Sequence, residues 1–290
     1  MYMPKILKSN VKRRENIFME ILIYGLIFII GTLFGSFFTL AVYRIPLGKN
    51  ILYKHSSCPK CGEKLKFKDL IPIFSYIFLR GKCAYCGQKI RIRYLLLEVL
   101  SGIVFLAFAL SFRINFFEID LRLIIIFMLY ILYIASLFII AGIDKENIKI
   151  QKSLLIFGMA ASSCYIIYAC VQQTQAIYTY IIYLVLTLIL VIADTIFMRS
   201  KLRESYVIGV LFLILYMIVF SGEFLTYLTI ILGLLCAALQ ILALKLKESS
   251  KRKSVIETKK NIKMPLGFYL CSINIVLIIL SNFVGNWVMR

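Results

Sequence analysis

Charged residues are scarce in this chain. They occupy 17% of its 290 positions, hydrophobic residues occupy 61%, and the mean hydropathy is +0.90. A soluble domain carries more charge and fewer apolar residues, so this composition argues against one. The chain also lacks internal repeats and low-complexity tracts. Long apolar runs fill almost its whole length, which makes a lipid bilayer the expected surroundings.

Acidic residues are scarcer still, because 14 Asp and Glu stand against 34 Lys and Arg, giving a formal net charge of +20. Such an excess can indicate nucleic-acid binding, but here the cations lie in a few short segments between apolar runs. Membrane proteins place Lys and Arg in such segments, beside anionic lipid headgroups. We therefore expect membrane lipid as a partner, and no nucleic acid.

The apolar runs predict an all-α integral membrane protein with about eight transmembrane helices. The sequence divides into an N-terminal segment with the first helix (1–44), an inserted basic loop (45–93) and a helical bundle (94–290). The expected spans are roughly Ile17–Val42, Tyr94–Phe112, Leu121–Ile143, Leu154–Val171, Ala176–Met198, Tyr206–Phe220, Phe224–Leu244 and Met264–Val288.

The Lys and Arg bias predicts the orientation of these spans. It places the loop 45–93 in the cytosol of a multi-pass protein in the cell (inner, cytoplasmic) membrane. Counting spans then places Lys145–Lys152, Arg199–Arg203 and Lys245–Lys263 on the same side, and the opposite loops are short and nearly free of cations. The basic segment Lys5–Arg14 is the exception, since it falls outside; translation from Met19 instead of Met1 would remove it.

Four cysteines in the inserted loop form two CxxC pairs, Cys58/Cys61 and Cys83/Cys86. Each pair places two thiols on one tight turn, and two such turns close a tetrahedral sulfur site that suits zinc. The alternative is a pair of disulfides, which a reducing cytosol disfavours. With four protein ligands the zinc has no open position, so we expect a structural metal. His55 lies nearby, but the four cysteines already complete the site.

Two carboxylates lie at long apolar runs: Asp194 interrupts one, and Asp144 closes another. An ionisable group inside a membrane span is costly and marks a functional site. Span counting puts both at the cytosolic ends of their helices, where two acids sharing a proton have the chemistry of an aspartic protease. The alternatives are structural: Asp144 paired with Lys145 or Lys149, and Asp194 reaching Arg199 or hydrogen-bonding across helices.

Three stretches make the chain similar to the type IV prepilin peptidases. They are GSFFTLAVYRIP at 35–46, the two cysteine pairs with LIPIFSY between them and RYLLLE at 93–98, and IDKENIKI at 143–150. The resemblance implies a membrane aspartyl endopeptidase that removes the leader peptide of prepilin or pseudopilin substrates. It also implies N-methylation of the new N-terminus with S-adenosylmethionine as donor, and Asp144 as the first catalytic aspartate.

The chain departs from the family at the second catalytic aspartate, which lies in a GxGD motif that is absent here. If Gly209 is aligned with the glycine that follows that motif, Lys201 takes the aspartate position. The nearest acids are Asp194 and Glu204. We expect Asp194 to be the second catalytic residue. The alternative is a catalytically degenerate homologue that binds or assembles prepilins without cleaving them.

Overall fold

The structure, a computed structural model of the chain, describes residues 5–50, 55–58, 60–112, 120–172, 177–197, 202–251 and 264–288. Its regular structure is helical apart from two isolated antiparallel bridges, Ser57–Lys64 and Lys82–Lys89. The helices of the described residues are α1 (Lys5–Arg44), α2 (Phe74–Phe78), α3 (Arg93–Phe112), α4 (Leu121–Asn147), α5 (Lys152–Val171), α6 (Ile177–Phe197), α7 (Leu202–Lys251) and α8 (Leu266–Val288).

Six of these helices, α1, α3, α4, α5, α7 and α8, are long and apolar enough to cross a membrane, and α6 contains a shorter apolar stretch, Tyr178–Leu190. The candidate span in α7, Tyr206–Leu246, has 41 residues. At 1.5 Å per residue it would be about 60 Å long, twice the thickness of the hydrocarbon layer. A single straight span is therefore excluded for α7.

The chain reverses direction inside α7 at Gly222, whose φ of 79° and ψ of 169° are not helical. Before this residue α7 runs parallel to α8, because Tyr206 contacts Leu266 and Ser221 contacts Asn274. After it α7 runs antiparallel to α8: Thr229 contacts Asn274, and Gly233 packs on Leu270. The two parts of α7 are thus two candidate spans, which makes seven in the described part of the chain. The eighth predicted span corresponds to α6, whose apolar stretch is shorter.

The chain forms two compact units. Unit 1 comprises Met1–Ala41, Asn50–Ile124 and Asn282–Arg290, and unit 2 comprises Val42–Lys49 and Ile125–Ser281. In unit 1, α1 and α3 approach closely through glycines: a Cβ on Gly31 would lie 2.8 Å from the Cβ of Phe105, and one on Gly35 would lie 2.7 Å from the Cα of Glu98. Small residues allow membrane helices to pack backbone against backbone.

The core of unit 2 is built on α4, in which Tyr133, Leu137 and Ile143 are fully buried. Tyr133 and Tyr216 pack edge to face with ring centroids 4.9 Å apart. Among the cysteines outside the loop, Cys271 is buried and Cys164 is exposed. Both lie in membrane helices, where an apolar residue can also face outward.

A buried polar cluster lies beside the reversal at Gly222. Asn274 accepts a hydrogen bond from the Tyr133 hydroxyl (2.7 Å) and donates to the Ser221 and Thr229 hydroxyls (both 3.1 Å). Asn274 and Thr229 are fully buried. Because backbone groups within a bilayer must be satisfied by the protein, polar side chains at a break in a membrane helix are expected. The cluster ties α4 and both parts of α7 to α8.

Candidate functional site

The four predicted zinc ligands come together in unit 1. The sulfur atoms of Cys58, Cys61, Cys83 and Cys86 all lie within 4.8 Å of one another, and the Sγ atoms of Cys58 and Cys86 are 3.9 Å apart. Four sulfurs at about 2.3 Å from a tetrahedral zinc ion are separated by about 3.8 Å. The arrangement therefore fits zinc. A disulfide, with sulfurs about 2.05 Å apart, does not match it, and all four cysteines are free thiols.

The two cysteine turns have the same backbone structure. In the first, the amide of Gly62 donates to the carbonyl of Cys58 (2.9 Å), and in the second Gly87 donates to Cys83 (3.0 Å). Both glycines have positive φ, 73° and 66°, which other residues adopt only with strain. The glycine after each CxxC pair thus fits the left-handed turn that both pairs share. His55 is exposed and is not one of the clustered ligands.

The first turn already favours a thiolate. Backbone amides of Cys61 and Lys60 donate toward the sulfur of Cys58 and lower the pKa of that thiol to about 6. The backbone amide of Glu63 lowers the pKa of Cys61 in the same turn, but desolvation and the neighbouring Cys58 and Cys86 outweigh it and raise that pKa to about 11. Metal ligation requires deprotonated thiols, and this turn by itself favours one of them. With all four positions filled by sulfur, the site can hold zinc for structure and leaves no position for a metal-bound water.

Glu98 connects the loop to the membrane helix α3. Its carboxyl oxygen Oε2 accepts the backbone N–H of Ile73 (2.8 Å), the residue before α2. Ile73 has a φ of 64°, an unfavourable conformation for a β-branched side chain. The hydrogen bond holds that turn against α3. The sequence places Glu98 in RYLLLE, but its role as an acceptor for the loop backbone depends on a contact 25 residues apart in the chain.

Asp144 lies near the end of α4 in unit 2 and is fully buried. Its oxygen Oδ2 accepts hydrogen bonds from the backbone N–H of Phe268 (2.9 Å) and from the Tyr206 hydroxyl (3.2 Å). The predicted pairing with Lys145 or Lys149 is absent among these contacts. Lys145 instead places its Nζ 4.4 Å from the ring centroid of Phe268.

The first turn of α8 provides the environment of Asp144. The Tyr206 hydroxyl accepts hydrogen bonds from the backbone amides of Leu266 (3.0 Å) and Gly267 (3.4 Å). The backbone amide of Phe268 donates a hydrogen bond to the Asp144 carboxyl. The first amides of a helix have no partner within that helix, and the positive end of its dipole attracts a carboxylate. Asp144 and Tyr206 together cap α8 from two other helices.

One oxygen of Asp144 remains available. Oδ1 is buried and has no hydrogen-bond partner in the described residues. Such a group is costly to bury and in native proteins needs an explanation, such as a catalytic role. Gly267 lies directly against the carboxyl, because a Cβ there would be 3.0 Å from Oδ2. The geometry fixes Oδ2 and leaves Oδ1 for a proton or a water molecule.

The segment after Asp144 packs against the first part of α7. The Cβ of Ile150 would lie 3.0 Å from a Cβ on Gly209, so the isoleucine of IDKENIKI meets the glycine that we aligned with the family. Asp194 lies in α6 and Glu204 in the first turn of α7. Their side chains fall outside the described residues, and the expected pairing of Asp144 with either stays a prediction.

Tyr206 and the amides of α8 are the parts of this site that the sequence analysis missed. Tyr206 starts a predicted span and shows no motif. The only available signal was Pro265-Leu266-Gly267, because proline followed by an apolar run often begins a helix whose amides need a partner.

Comparison with known proteins assigns the first part of the chain. Residues 29–112 match the family model of the Bacterial Peptidase A24 N-terminal domain. The match covers less than a third of the chain, and over these residues the chain is similar to that domain. The match includes α1 from residue 29, the zinc loop and α3, and it ends before Asp144.

Several proteins named prepilin leader peptidase/N-methyltransferase are similar to this chain. That of Bacillus subtilis is 36% identical over 133 residues, 46% of this chain and 50% of the relative. That of Myxococcus xanthus is 40% identical over 81 residues (28% and 24%), and that of Klebsiella pneumoniae is 39% identical over 85 residues (27% and 37%). The chain thus spans half or less of the length of these relatives. No solved structure matches it significantly.

Proposed function

We propose that this chain is a membrane aspartyl endopeptidase that removes the leader peptide from prepilin-like proteins, with Asp144 as a catalytic residue. The observation that carries the proposal is the buried carboxyl of Asp144, held through Oδ2 and unpartnered at Oδ1. The similarity of residues 29–112 to the Bacterial Peptidase A24 N-terminal domain supports a peptidase. Prepilins and pseudopilins are the proposed substrates, and the similarity to proteins named prepilin leader peptidase/N-methyltransferase supports the leader-peptidase activity.

In the proposed reaction, Oδ1 of Asp144 removes a proton from a water molecule, and the hydroxide oxygen attacks the carbonyl carbon of the scissile peptide. A second acid donates a proton to the carbonyl oxygen. When the tetrahedral intermediate collapses, the C–N bond breaks and the leaving amine takes the proton that Asp144 removed from the water. One hydroxyl of the intermediate returns its proton to the second acid as the new carboxyl group forms. We propose Asp194 as the second acid, with Glu204 as the other candidate. General acid–base catalysis of this kind contributes about 10²–10⁴-fold to the rate.

Tyr206 and the first turn of α8 position Asp144 in this reaction. They occupy Oδ2, so that the carboxyl cannot rotate away without breaking hydrogen bonds to two elements. We propose that the first turn of α8 moves aside when a substrate binds, because a fully buried carboxyl is otherwise closed to a peptide.

We propose that zinc stabilises the loop and takes no part in peptide cleavage. Cys58, Cys61, Cys83 and Cys86 would hold the ion, which replaces a hydrophobic core in a segment too short to build one. We propose that this loop lies in the cytosol and that the protein lies in the inner membrane, and the excess of Lys and Arg in the loop supports this orientation. The relatives' names also suggest N-methylation, for which S-adenosylmethionine would supply the methyl group.

A second candidate function is that of a non-proteolytic relative that binds or assembles prepilins. It is favoured by the same contacts, since Asp144 and Tyr206 together satisfy three amides of α8. An aspartate kept only as a helix cap would make these contacts as well. The absence of GxGD from the sequence fits this candidate.

The test is cleavage of a prepilin-like protein in proteoliposomes by the wild type and by Asp144→Asn, Asp194→Asn and Glu204→Gln. The peptidase proposal expects cleavage by the wild type and its loss in Asp144→Asn and in one of the other two variants, which identifies the second acid. If the folded, zinc-loaded wild type binds the substrate but never cleaves it, the non-proteolytic candidate replaces the proposal.

A further inference from the structure

The zinc loop carries an exposed apolar surface formed by α2 and the short turn before it, which we call the interfacial patch. Phe67 is 86% exposed and Phe78 is 80% exposed. The rings of Phe74 and Phe78 stack on each other with centroids 6.5 Å apart, one helical turn apart in the sequence. The members of the patch are Phe67, Leu70, Ile71, Phe74, Ile77 and Phe78.

Cations flank this patch in the sequence. The segment from Lys64 to Lys82 contains five exposed basic residues, namely Lys64, Lys66, Lys68, Arg80 and Lys82. Its one acid, Asp69, is already engaged, because its carboxylate accepts the amide of Lys66 (3.1 Å) and the hydroxyl of Tyr85 (3.0 Å). An apolar surface among free cations is complementary to an anionic, partly apolar partner.

The hydrogen bond from Ile73 to Glu98 sets the depth of the patch. Glu98 lies five residues after α3 begins at Arg93, which is about 7 Å along the helix axis. Since α3 is a membrane span, α2 begins beside the second turn of that span. Buried Pro72 and the positive φ of Ile73 fix the direction in which α2 leaves this contact. The patch therefore starts beside the first turns of this candidate span, the part of α3 that we expect to lie nearest the lipid headgroups.

We propose that the interfacial patch inserts into the headgroup region of the membrane, with the flanking Lys and Arg side chains on anionic lipid. Aromatic side chains are favoured at this depth, and cations beside them gain from negative lipid charge. The zinc loop is then anchored at three places: the end of α1, the start of α3 and the patch. Another protein helix is the less suitable occupant, because nothing in an apolar helix would neutralise the five cations.

The test places a fluorophore in the patch of the full-length protein. Trp287, the one tryptophan, is replaced by phenylalanine, and Phe78→Trp is compared with Lys60→Trp, an exposed position in the first cysteine turn. Both proteins are reconstituted into phosphatidylcholine/phosphatidylglycerol vesicles containing lipids brominated near the headgroup. Zinc content confirms that each loop is folded.

The proposal expects Phe78→Trp to emit at shorter wavelength than Lys60→Trp, to lose the larger share of its emission to brominated lipid, and to be shielded from aqueous acrylamide. Omitting phosphatidylglycerol, or adding Lys66→Glu and Lys68→Glu, should weaken the quenching. Equal aqueous quenching at both positions overturns the proposal. Shielding of Phe78→Trp that appears only after a prepilin-like protein is added also overturns it, since the occupant is then a protein.

Discussion

Replacing Tyr206 with phenylalanine tests the contact network that positions Asp144. The substitution removes one hydroxyl that accepts the amides of Leu266 and Gly267 and donates to Asp144. The amide of Gly267 is 3.4 Å away and contributes little. The amide of Leu266 keeps a partner, because it also donates to the carbonyl of Met264 (3.1 Å). The main loss is therefore the hydrogen bond to the Asp144 carboxyl, which costs about 1.5–3 kcal/mol.

The assay is thermal unfolding of the purified protein in detergent, followed by helix content, with Tyr227→Phe as the matched control. Tyr227 lies in the same helix and is 59% exposed, so its hydroxyl should contribute almost nothing. We expect Tyr206→Phe to unfold several degrees below the wild type and to cleave substrate more slowly. Equal unfolding temperatures for the two variants would contradict the proposed capping of α8.

The remaining predictions concern zinc, the carboxyl pocket and the polar cluster. Cys58→Ser should lose bound zinc, measured by elemental analysis, and its loop should become sensitive to trypsin. The control Cys164→Ser should retain one zinc per chain. Equal zinc content in both variants would refute the site. Gly267→Ala should lower the free energy of unfolding by about 1–3 kcal/mol, because it forces a Cβ against Asp144. Gly285→Ala is the control: its Cβ meets no atom within 4 Å, so this variant should unfold like the wild type. Asn274→Ala breaks three hydrogen bonds of the polar cluster. At an average of roughly 0.6 kcal/mol each, their loss should lower the free energy of unfolding by about 2 kcal/mol. An unchanged unfolding curve would show that the cluster does not stabilise the reversal at Gly222.

The membrane helices and the zinc site were predictable because each depends on local sequence. Span length follows from the thickness of the bilayer, and two CxxC turns with a glycine after each need only their own residues to form. Even the two spans inside α7 were predicted, since the polar residues around Gly222 interrupt the apolar run. The four sulfur atoms then meet as the spacing indicated.

The surroundings of Asp144 were not predictable because they depend on contacts far apart in the chain. The partners of Asp144 lie 62 and 124 residues away, at Tyr206 and Phe268. An aspartate at the end of a helix gives no sign of which distant helix start it will cap. Glu98 is a similar case, since an acid near the start of a membrane helix is explained by the helix dipole alone and gives no sign of the amide of Ile73.

The most direct measurement is the mass of a prepilin-like substrate after incubation with the wild type and with Asp144→Asn in matched proteoliposomes. Asparagine keeps an oxygen that can accept from Phe268 and Tyr206, so the variant should remain folded. We expect the wild type to release the leader peptide and Asp144→Asn to be slower by about 10²–10⁴-fold. Cleavage by Asp144→Asn at the wild-type rate would contradict the account, because Asp144 would then be only a cap for α8.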